Sequence, residues 1–470
     1  MNLKYKRLAS NTFLFAIANM GTKLLQFFLV PLYTYTLTKS QYGIMDLFLT
    51  TLNMLLPIFA LSIADAVFRY TMERNASHDI LSNGFIITTI GSVIVLLCIP
   101  IFKIMKIPYA GYFAIILSLL LYLSLFQNYA RAANYEKVFA LSGVINAIIL
   151  GSLNVLLMVF LHLGIRGYVY SLLFANLCTV LYLFIATNAI NNLNVSKLSL
   201  FEMKKLLRYS VPLIPNAFAW WFTNDANRYF ILFFVGATGN GLYAVASKIP
   251  SLLNMVYNIF AQAWQISAVE EFNSEDSSKF YSNILNISIF ILMIVSCILL
   301  TFIKPFIWFF MEHSYYSSWK FVAYLLLASV FSNISAFLGT IFLAAKATNK
   351  IMTTTVIGMI TNVVFNLILI PQFGVNGAGI GSCLGFMVVC LIRINIVNKN
   401  YMKIRINKKN IYMLVLFFGI MLINFGISSL IYSTVLDILV VLIILLINLK
   451  NLKSIIFAIL KKEKNLKGKD

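Results

Sequence analysis

The feature that most constrains this chain is a succession of about fourteen apolar segments, each close to the length of a bilayer-spanning helix. A transmembrane helix needs about 20 predominantly apolar residues to cross a hydrocarbon layer of about 30 Å. The segments run at roughly 12–37, 44–67, 80–102, 109–130, 140–161, 168–190, 209–235, 242–265, 281–303, 321–344, 353–371, 377–397, 411–432 and 435–449. They leave only short loops, so the pattern predicts an all-α, polytopic membrane protein without a soluble catalytic domain.

The composition agrees with this interpretation. Hydrophobic residues make up 61% of the chain and charged residues only 11%, against about 45–50% and about 25% in soluble domains. A chain of 470 residues with so few charges cannot cover a water-facing surface. A bilayer removes the problem, because side chains that face lipid need no polar cover.

The charge balance, 36 Lys and Arg against 15 Asp and Glu, would favour nucleic-acid binding in a soluble protein. Here the position of the charges decides. If the N-terminus is cytoplasmic, 27 of the 36 basic residues fall in cytoplasmic segments, six fall outside and three fall inside spans. Basic residues concentrate on the cytoplasmic side of membrane proteins. The sequence therefore predicts a multi-pass protein of the cell membrane with both termini cytoplasmic and no nucleic-acid partner.

Neither cysteine nor histidine forms a metal-binding pattern. The five cysteines lie in or beside apolar runs, no two form a CxxC pair, and the three histidines are far apart in sequence. A disulfide framework or a zinc site would need closer, paired spacings. We expect no cofactor or metal, although coupling to H⁺ or Na⁺ stays open.

The second half of the chain repeats motifs of the first half. The paired motifs are Arg131-Ala-Ala-Asn134 with Lys346-Ala-Thr-Asn349, Gly164-Ile-Arg-Gly167 with Gly374-Val-Asn-Gly377, and Tyr42-Gly43 with Asn240-Gly241. The copies lie six spans apart, so both have the same orientation in the membrane. This predicts pseudo-symmetric six-helix bundles at 1–192 and 193–398, followed by two further helices and a basic cytoplasmic tail at 399–470. Transporters with such repeats bind substrate between the halves and alternate access to it.

The first two spans contain Asn11-Thr-Phe, Pro31 and Tyr42-Gly43, and turns follow later at Arg131 and Gly164. This arrangement resembles that of Wzx-type polysaccharide flippases. The resemblance covers essentially the whole chain, and the same superfamily contains MATE multidrug exporters and peptidoglycan lipid flippases. It implies a non-enzymatic flippase that moves undecaprenyl-pyrophosphate-linked oligosaccharide from the inner to the outer leaflet for surface polysaccharide assembly. Its implied partners are the lipid-linked oligosaccharide, the bilayer and other polysaccharide-assembly proteins.

Three cations inside spans are candidate ligands for a pyrophosphate, because an anion is very costly in hydrocarbon. Lys23 lies about a dozen residues inside its span, whereas Arg228 and Lys248 lie nearer the outer end and could instead reach the interface. Asp225 and Arg228 are three residues apart on one helical face and can pair. The pair is either a self-neutralised structural contact or a switch, in which H⁺ or Na⁺ at Asp225 releases Arg228.

Other polar residues in the spans complete the candidate site. Asp65 and Asp46 are weaker candidates for ion coupling than Asp225, because they lie near opposite ends of span two, where interface solvation would suffice. Polar and aromatic side chains that could bind a glycan are Asn53, Asn216, Trp220, Trp221, Asn224, Asn227, Asn254, Gln262, Trp264 and Gln265. Tryptophan in membrane proteins also marks the lipid–water interface, so the alternative interpretation of Trp220 and Trp221 is structural.

Prolines and glycines inside the spans have backbone roles. Pro57 and Pro250 each remove one helical hydrogen bond, which predicts either hinges near the polar residues or lipid-facing kinks. Gly377, Gly381 and Gly385 are spaced by four within an apolar run. That spacing predicts close helix packing rather than a phosphate-binding loop.

Three alternative functions remain. A membrane glycosyltransferase or polymerase would need a sizeable extracytoplasmic loop with acidic or His–Arg groups, and the predicted outer loops are short. A MATE-like cation-coupled multidrug exporter would favour a cavity lined by carboxylates, whereas the charges deep in these spans include Lys23 and Arg228. A peptidoglycan lipid flippase shares both the fold and an anionic substrate, and the sequence separates it only weakly.

Overall fold

A computed structural model describes residues 27–72, 79–189, 193, 198–345, 347–427 and 429–447. Throughout these ranges the regular elements are helices, as the sequence predicts. The helices are α1 (27–36), α2 (Lys39–Phe59), α3 (Ile63–Thr71), α4 (Asp79–Leu97), α5 (Ile99–Ile104), α6 (Ala110–Ala132), α7 (Glu136–Asn154), α8 (Gly164–Ala186), α9 (Leu200–Ser210), α10 (Ile214–Asp225), α11 (Asn227–Phe234), α12 (Ala237–Glu270), α13 (Ser277–Thr301), α14 (Ile303–Phe310), α15 (Trp319–Ala344), α16 (Thr348–Phe373), α17 (Val375–Asn400), α18 (Lys408–Gly426) and α19 (Leu430–Ile447). A π-helical turn at Val155–Phe160 extends α7, and short 3₁₀ turns at Val211–Leu213 and His313–Ser318 precede α10 and α15.

Ten helical segments in the described part of the chain are long and apolar enough to cross a membrane. Large apolar side chains stay exposed on them, for example Leu97, Phe160 and Leu422, which are 72%, 70% and 70% exposed. Such side chains are stable when they face lipid. The chain is thus a multi-pass, all-α membrane protein, whereas the predicted count of fourteen spans is not confirmed. Most of the predicted first span lies outside the described residues.

The predicted second span is two helices rather than one. Thr38 begins α2 five residues earlier than predicted, because its side chain accepts a hydrogen bond from the Gln41 N–H and the Gln41 side chain accepts one from the Thr38 N–H. The helix ends soon after Pro57, where Leu61 and Ser62 adopt left-handed backbone conformations. The apolar run conceals this break, since hydropathy does not record backbone dihedral angles.

The predicted seventh span, 209–235, is also interrupted. It comprises the end of α9, the 3₁₀ turn, α10 and α11, and the last two helices meet at Ala226. The Tyr229 N–H donates to the Ala226 carbonyl, three residues earlier, at 2.9 Å. Ala226 keeps right-handed helical dihedral angles, so the interruption lies in the hydrogen-bond pattern.

Two pairs of turns have similar geometry at the positions of the predicted repeat. Before α7, the Tyr135 N–H donates to the Ala130 carbonyl at 2.8 Å, and before α16 the Ala347 N–H donates to the Phe342 carbonyl at 2.8 Å. Both bonds reach back five residues. This geometry aligns Tyr135 with Ala347, so the sequence alignment of Asn134 with Asn349 is displaced by three residues at this turn.

The second pair of turns uses glycine in the same way twice. Gly164 begins α8 with φ +54°, and Gly374 precedes α17 with φ +58°. Glycine adopts this left-handed region without the steric cost that a Cβ imposes. Three residues on, a side chain at Gly377 would collide with the Leu369 carbonyl, and one at Gly167 would lie only 3.0 Å from the Leu157 carbonyl oxygen. The two Gly-x-x-Gly motifs therefore each build a tight connection between antiparallel helices.

Residues up to Ala244 form one compact unit and those from Val245 form a second. The first has a core in which Ile63 and Val67 of α3 pack with Leu125 of α6 and Leu206 of α9. The second contains an aromatic stack in which the rings of Trp264 and Phe337 lie 4.6 Å apart. The predicted domain divisions at residues 193 and 399 stay a prediction.

The glycine stripe packs as predicted within the second unit. A side chain at Gly381 would overlap the Asn366 side chain of α16, and one at Gly385 would lie 3.1 Å from the Asn362 Cβ. The helices α16 and α17 approach closely because these positions carry only a hydrogen atom. The interpretation as helix packing is confirmed.

Candidate functional site

The first unit contains a buried cluster of three charged side chains. Arg228 of α11 donates from Nε to Asp46 Oδ2 at 2.5 Å and from Nη1 to Asp225 Oδ1 at 2.7 Å. The Asp46 side chain is 6% exposed, the Arg228 side chain 12% and the Asp225 side chain 36%. We call these three residues the charge triad. One carboxylate is thus sealed in the protein and the other is half-exposed.

The start of α12 holds the α2 end of the triad in place. The buried Asn240 side chain donates to the Gly43 carbonyl at 2.9 Å, one turn before Asp46. A side chain at Gly43 would collide with the Ala237 carbonyl, and one at Gly241 would collide with the Lys39 carbonyl. The backbones therefore touch where the repeated motifs Tyr42-Gly43 and Asn240-Gly241 meet. This contact requires glycine at both positions.

Side-chain hydrogen bonds fix α10 and α11 against α2 on either side of the break at Ala226. The Trp221 indole N–H donates to the Thr50 carbonyl at 3.1 Å. The hydroxyl groups of Thr51 and Tyr229 lie 2.5 Å apart. These two contacts set the position of Arg228 relative to Asp46.

An aromatic ring, that of Tyr243, borders the Arg228 guanidinium. The Arg228 Cζ atom lies 5.6 Å from the centre of the Tyr243 ring, within the range of a cation–π contact. The Tyr243 hydroxyl accepts a hydrogen bond from the Asn227 side chain at 3.3 Å, and both residues are buried. The ring and the two carboxylates therefore bind the guanidinium on several sides.

The charges of the triad do not cancel. One guanidinium faces two carboxylates, so the triad carries a net charge of −1 when both carboxylates are ionised. The burial of Asp46 makes its pairing with Arg228 structurally essential, because an isolated buried carboxylate is very costly. Asp225 is more accessible, so it can exchange its partner for a proton or a small cation at lower cost.

The structure places the predicted site residues in different surroundings. Trp221 is buried in protein, and its ring lies 5.9 Å from that of Phe218. Lys248 is half-buried on α12 and belongs to the second unit. The exposed predicted residues are Asn53 on α2, Asp65 in the first turn of α3 and Asn224 on α10. Lys23, and the side chains of Trp220, Asn216 and Gln262, lie outside what the structure describes.

The surroundings of two carboxylates differ from those that the sequence predicts. The sequence predicts Asp46 near a span end with interface solvation, but it is 4% exposed and binds Arg228. The sequence also predicts Asp65 near the end of span two, but that span ends at Phe59 and Asp65 belongs to a separate helix. The predicted pairing of Asp225 with Arg228 is confirmed as a contact, while its role as a switch stays a prediction.

Sequence reasoning missed Thr51, Tyr229 and Tyr243 as neighbours of the site. Each is a common residue in an apolar run, and none stands out by charge or spacing. Asp46 did carry a signal, because an acidic residue within a span usually has a partner inside the protein.

A metal centre has no ligands in the part of the chain that the structure describes, where no three His, Cys, Asp or Glu side chains come together. The carboxylates of the triad are hard oxygen donors, which suit a proton or an alkali cation better than a transition metal. The described cysteines are free thiols.

The chain was compared with protein families and with curated protein sequences. A family described as "Polysaccharide biosynthesis protein" matches residues 8–265. No curated protein sequence matches the chain significantly.

Several solved structures share the fold. An inward-facing multidrug resistance MATE transporter of the MOP superfamily superposes with a TM-score of 0.68 at 16% identity, over 80% of this chain and 96% of that one. The lipid II flippase MurJ in an inward closed conformation superposes with a TM-score of 0.67 at 17% identity, over 94% of this chain and 99% of that one. An outward-facing MATE transporter reaches 0.60 at 15% identity, over 81% and 92% of the two chains.

Proposed function

The chain belongs to the polysaccharide biosynthesis protein family, a family of Wzx-type flippases, and from this premise we propose that it moves undecaprenyl-pyrophosphate-linked oligosaccharide repeat units across the cytoplasmic membrane. The product would serve the biosynthesis of a surface polysaccharide such as capsule or O-antigen. The protein would work by alternating access, with both termini cytoplasmic, and without covalent chemistry on the substrate.

The extent of the structural match supports a lipid-linked substrate. The likeness to the lipid II flippase includes 94% of this chain, whereas the MATE structures match 80–82% of it. A flippase must move a polar headgroup while the lipid tail stays in the bilayer. A superposition that extends over nearly the whole chain favours the lipid-flippase architecture over the shorter exporter architecture.

The charge triad carries the mechanistic part of the proposal. The Arg228 side chain is only 12% exposed, and two carboxylates hold its guanidinium in the described conformation. A proton or Na⁺ at the more accessible Asp225 would free one edge of the guanidinium. That edge could then bind a diphosphate oxygen through charge-assisted hydrogen bonds. Release of the cation would restore the Asp225 contact and displace the anion.

The decisive experiment is a gene deletion followed by analysis of the lipid-linked repeat units. We expect the units to accumulate on the inner leaflet and surface polysaccharide to disappear. Arg228→Ala should reproduce this phenotype, and Asp46→Leu/Arg228→Met, which leaves no buried charge without a partner, should do so at normal protein levels in the membrane. Arg166→Ala, which changes an exposed arginine of α8, is the matched control and should complement the deletion. Full complementation by Arg228→Ala would contradict the proposed role of the triad.

The net negative charge of the triad favours one alternative, a cation-coupled multidrug exporter, because two carboxylates attract cationic substrates. Under that alternative the deletion strain would keep its surface polysaccharide and become sensitive to cationic drugs. Asp225→Asn would then abolish drug export, because it removes the more accessible of the two carboxylates. The flippase proposal requires instead that the deletion strain loses its surface polysaccharide and keeps its wild-type drug sensitivity.

A further inference from the structure

A cleft lined by basic and aromatic side chains lies beside α9. Its volume is about 640 Å³, and its lining residues are Tyr70, Phe201, Lys204, Lys205, Arg208 and Tyr209. We call it the α9 cleft. Three of the six lining residues are cations, three are aromatic, and no carboxylate lines it. This size is typical of small-molecule sites.

The cleft is held rigidly by the first unit. The fully buried Leu206 packs in the core with Val67 and Leu125. The Ser199 N–H, just before α9, donates to the Asn83 side chain of α4 at 3.0 Å. The rings of Tyr70 and Tyr209 lie 5.7 Å apart in an edge-to-face arrangement, which joins α3 to the far end of α9. The cations therefore project from a fixed support.

The cations differ in how far protein groups already bind them. Lys205 pairs with Glu202 at 3.3 Å and lies 4.8 Å from the centre of the Tyr70 ring. Lys204 and Arg208 are exposed, one helical turn apart, and make no ion pair with any residue that the structure describes. Two adjacent cations without an ion-pair partner among the described residues match the two phosphates of a diphosphate better than the single phosphate of a phospholipid.

The cleft borders an apolar surface suited to the lipid interface. Leu200 and Phe201, in the first turn of α9, are 86% and 75% exposed. A helix with one basic face and protruding apolar side chains lies in the interface between headgroups and acyl chains. The distribution of basic residues among the loops predicts that α9 lies on the cytoplasmic side. A headgroup in the inner leaflet could therefore reach the cleft without its lipid tail leaving the bilayer.

We propose that the α9 cleft is a docking site for the diphosphate headgroup of a polyprenyl-linked saccharide in the inner leaflet, where the substrate binds before it reaches the charge triad. Lys204 and Arg208 bind the diphosphate, and the Tyr70–Tyr209 pair contacts the first sugar through its apolar ring face. The site rests on the proposed flippase function and specifies where its substrate is loaded.

The second unit supplies a matched control. A cleft of about 560 Å³ there contains three cations, Lys279, Lys403 and Arg405, but also the carboxylates of Glu275 and Asp276, and no aromatic side chain lines it. We call it the α13 cleft. It has a similar number of positive charges at a surface that is also predicted to be cytoplasmic. Its carboxylates and lack of aromatic groups make it a poor diphosphate and sugar site.

The test measures binding to the full-length protein in nanodiscs by native mass spectrometry, with undecaprenyl diphosphate as the ligand. Each cation near a membrane anion contributes about 1 kcal/mol, so Lys204→Gln/Arg208→Gln should weaken binding about 10- to 30-fold. Lys279→Gln/Lys403→Gln should change it less than about twofold. All four residues lie at the protein surface, and equal melting temperatures of the variants would verify that they are folded.

Three outcomes would overturn the proposal. These are unchanged binding by Lys204→Gln/Arg208→Gln, an equal loss in both double variants, and competition by phosphatidylglycerol as strong as that by added undecaprenyl diphosphate. The last result would make the cleft a general anchor to anionic lipid.

A transport assay separates this proposal from the proposed function. In proteoliposomes with a lipid-linked oligosaccharide, Lys204→Gln/Arg208→Gln should raise the substrate concentration at half-maximal rate and leave the maximal rate nearly unchanged. If the wild type moves no lipid-linked oligosaccharide, the flippase function fails. If the wild type transports and the double variant is indistinguishable from it at low substrate, the docking site alone fails.

Discussion

Replacing Arg228 with methionine should destabilise the first unit strongly, because it leaves the Asp46 carboxylate buried without a partner. The Asp46 side chain is only 6% exposed, so water cannot compensate for the lost guanidinium. With about 4 Å between charge centres and an effective dielectric constant of about 20, one such pair attracts by about 4 kcal/mol. This agrees with the cost of about 3–5 kcal/mol for removing one partner of a buried ion pair.

The same reasoning predicts a rescue and a mild variant. Asp46→Leu combined with Arg228→Met removes both buried charges and should recover most of the stability, while transport stays abolished. Asp225→Asn should cost less than about 1 kcal/mol, because its side chain is 36% exposed and the amide can still accept a hydrogen bond from Arg228. Stability and transport would thus separate within one set of variants.

The measurement is thermal unfolding of the purified protein in one detergent, followed by intrinsic tryptophan fluorescence. For a cooperative unit of about 240 residues, a loss of about 3 kcal/mol lowers the melting temperature by about 6–12 °C. Arg228→Met melting at the wild-type temperature would refute the reasoning. So would a shift for Asp225→Asn as large as that for Arg228→Met, since burial would then not decide the cost.

Two further predictions concern the second unit. Gly381→Leu should destabilise the α16–α17 contact by about 1–3 kcal/mol, because the new side chain would overlap the Asn366 side chain. Gly419→Leu, at a position with open space, is the control. Equal melting temperatures of the two variants would contradict the packing argument. Lys304→Met should speed amide hydrogen exchange at the end of α18, because the Lys304 ammonium group donates to the Asn424 and Ile427 carbonyls at 2.6 and 2.9 Å. Lys320→Met, on an exposed lysine of α15, should leave that exchange unchanged.

The fold was largely predictable because its strongest determinants are local. Runs of about 20 apolar residues specify helices in lipid, since every backbone polar group must be satisfied within the segment. The Gly-x-x-Gly turns and the spacing of Gly377, Gly381 and Gly385 were also readable, because each requires a missing side chain at a fixed interval. The breaks at Leu61 and Ala226 were not readable, because they change backbone geometry without changing hydropathy.

The site was predictable only in part. Arg228 stood out as a charge in an apolar run, and Asp225 followed from its spacing of three residues. Asp46 lies 182 residues from Arg228 in the chain, and no local pattern links the two. The aromatic and hydroxyl neighbours Tyr243, Thr51 and Tyr229 had no signal at all, since such residues are common in any membrane helix.

The sequence by itself determined that the chain spans a membrane as helices and that a few charges inside the spans need an explanation. It also predicts that the two halves repeat. Composition and short-range spacing suffice for these conclusions. Only the tertiary structure decided that Arg228 binds two carboxylates, one sealed and one half-exposed, and that the α9 cations share a cleft with tyrosines. The reason is physical: the state of a charge in a membrane depends on its burial and its partners, and both are set by which helices pack together.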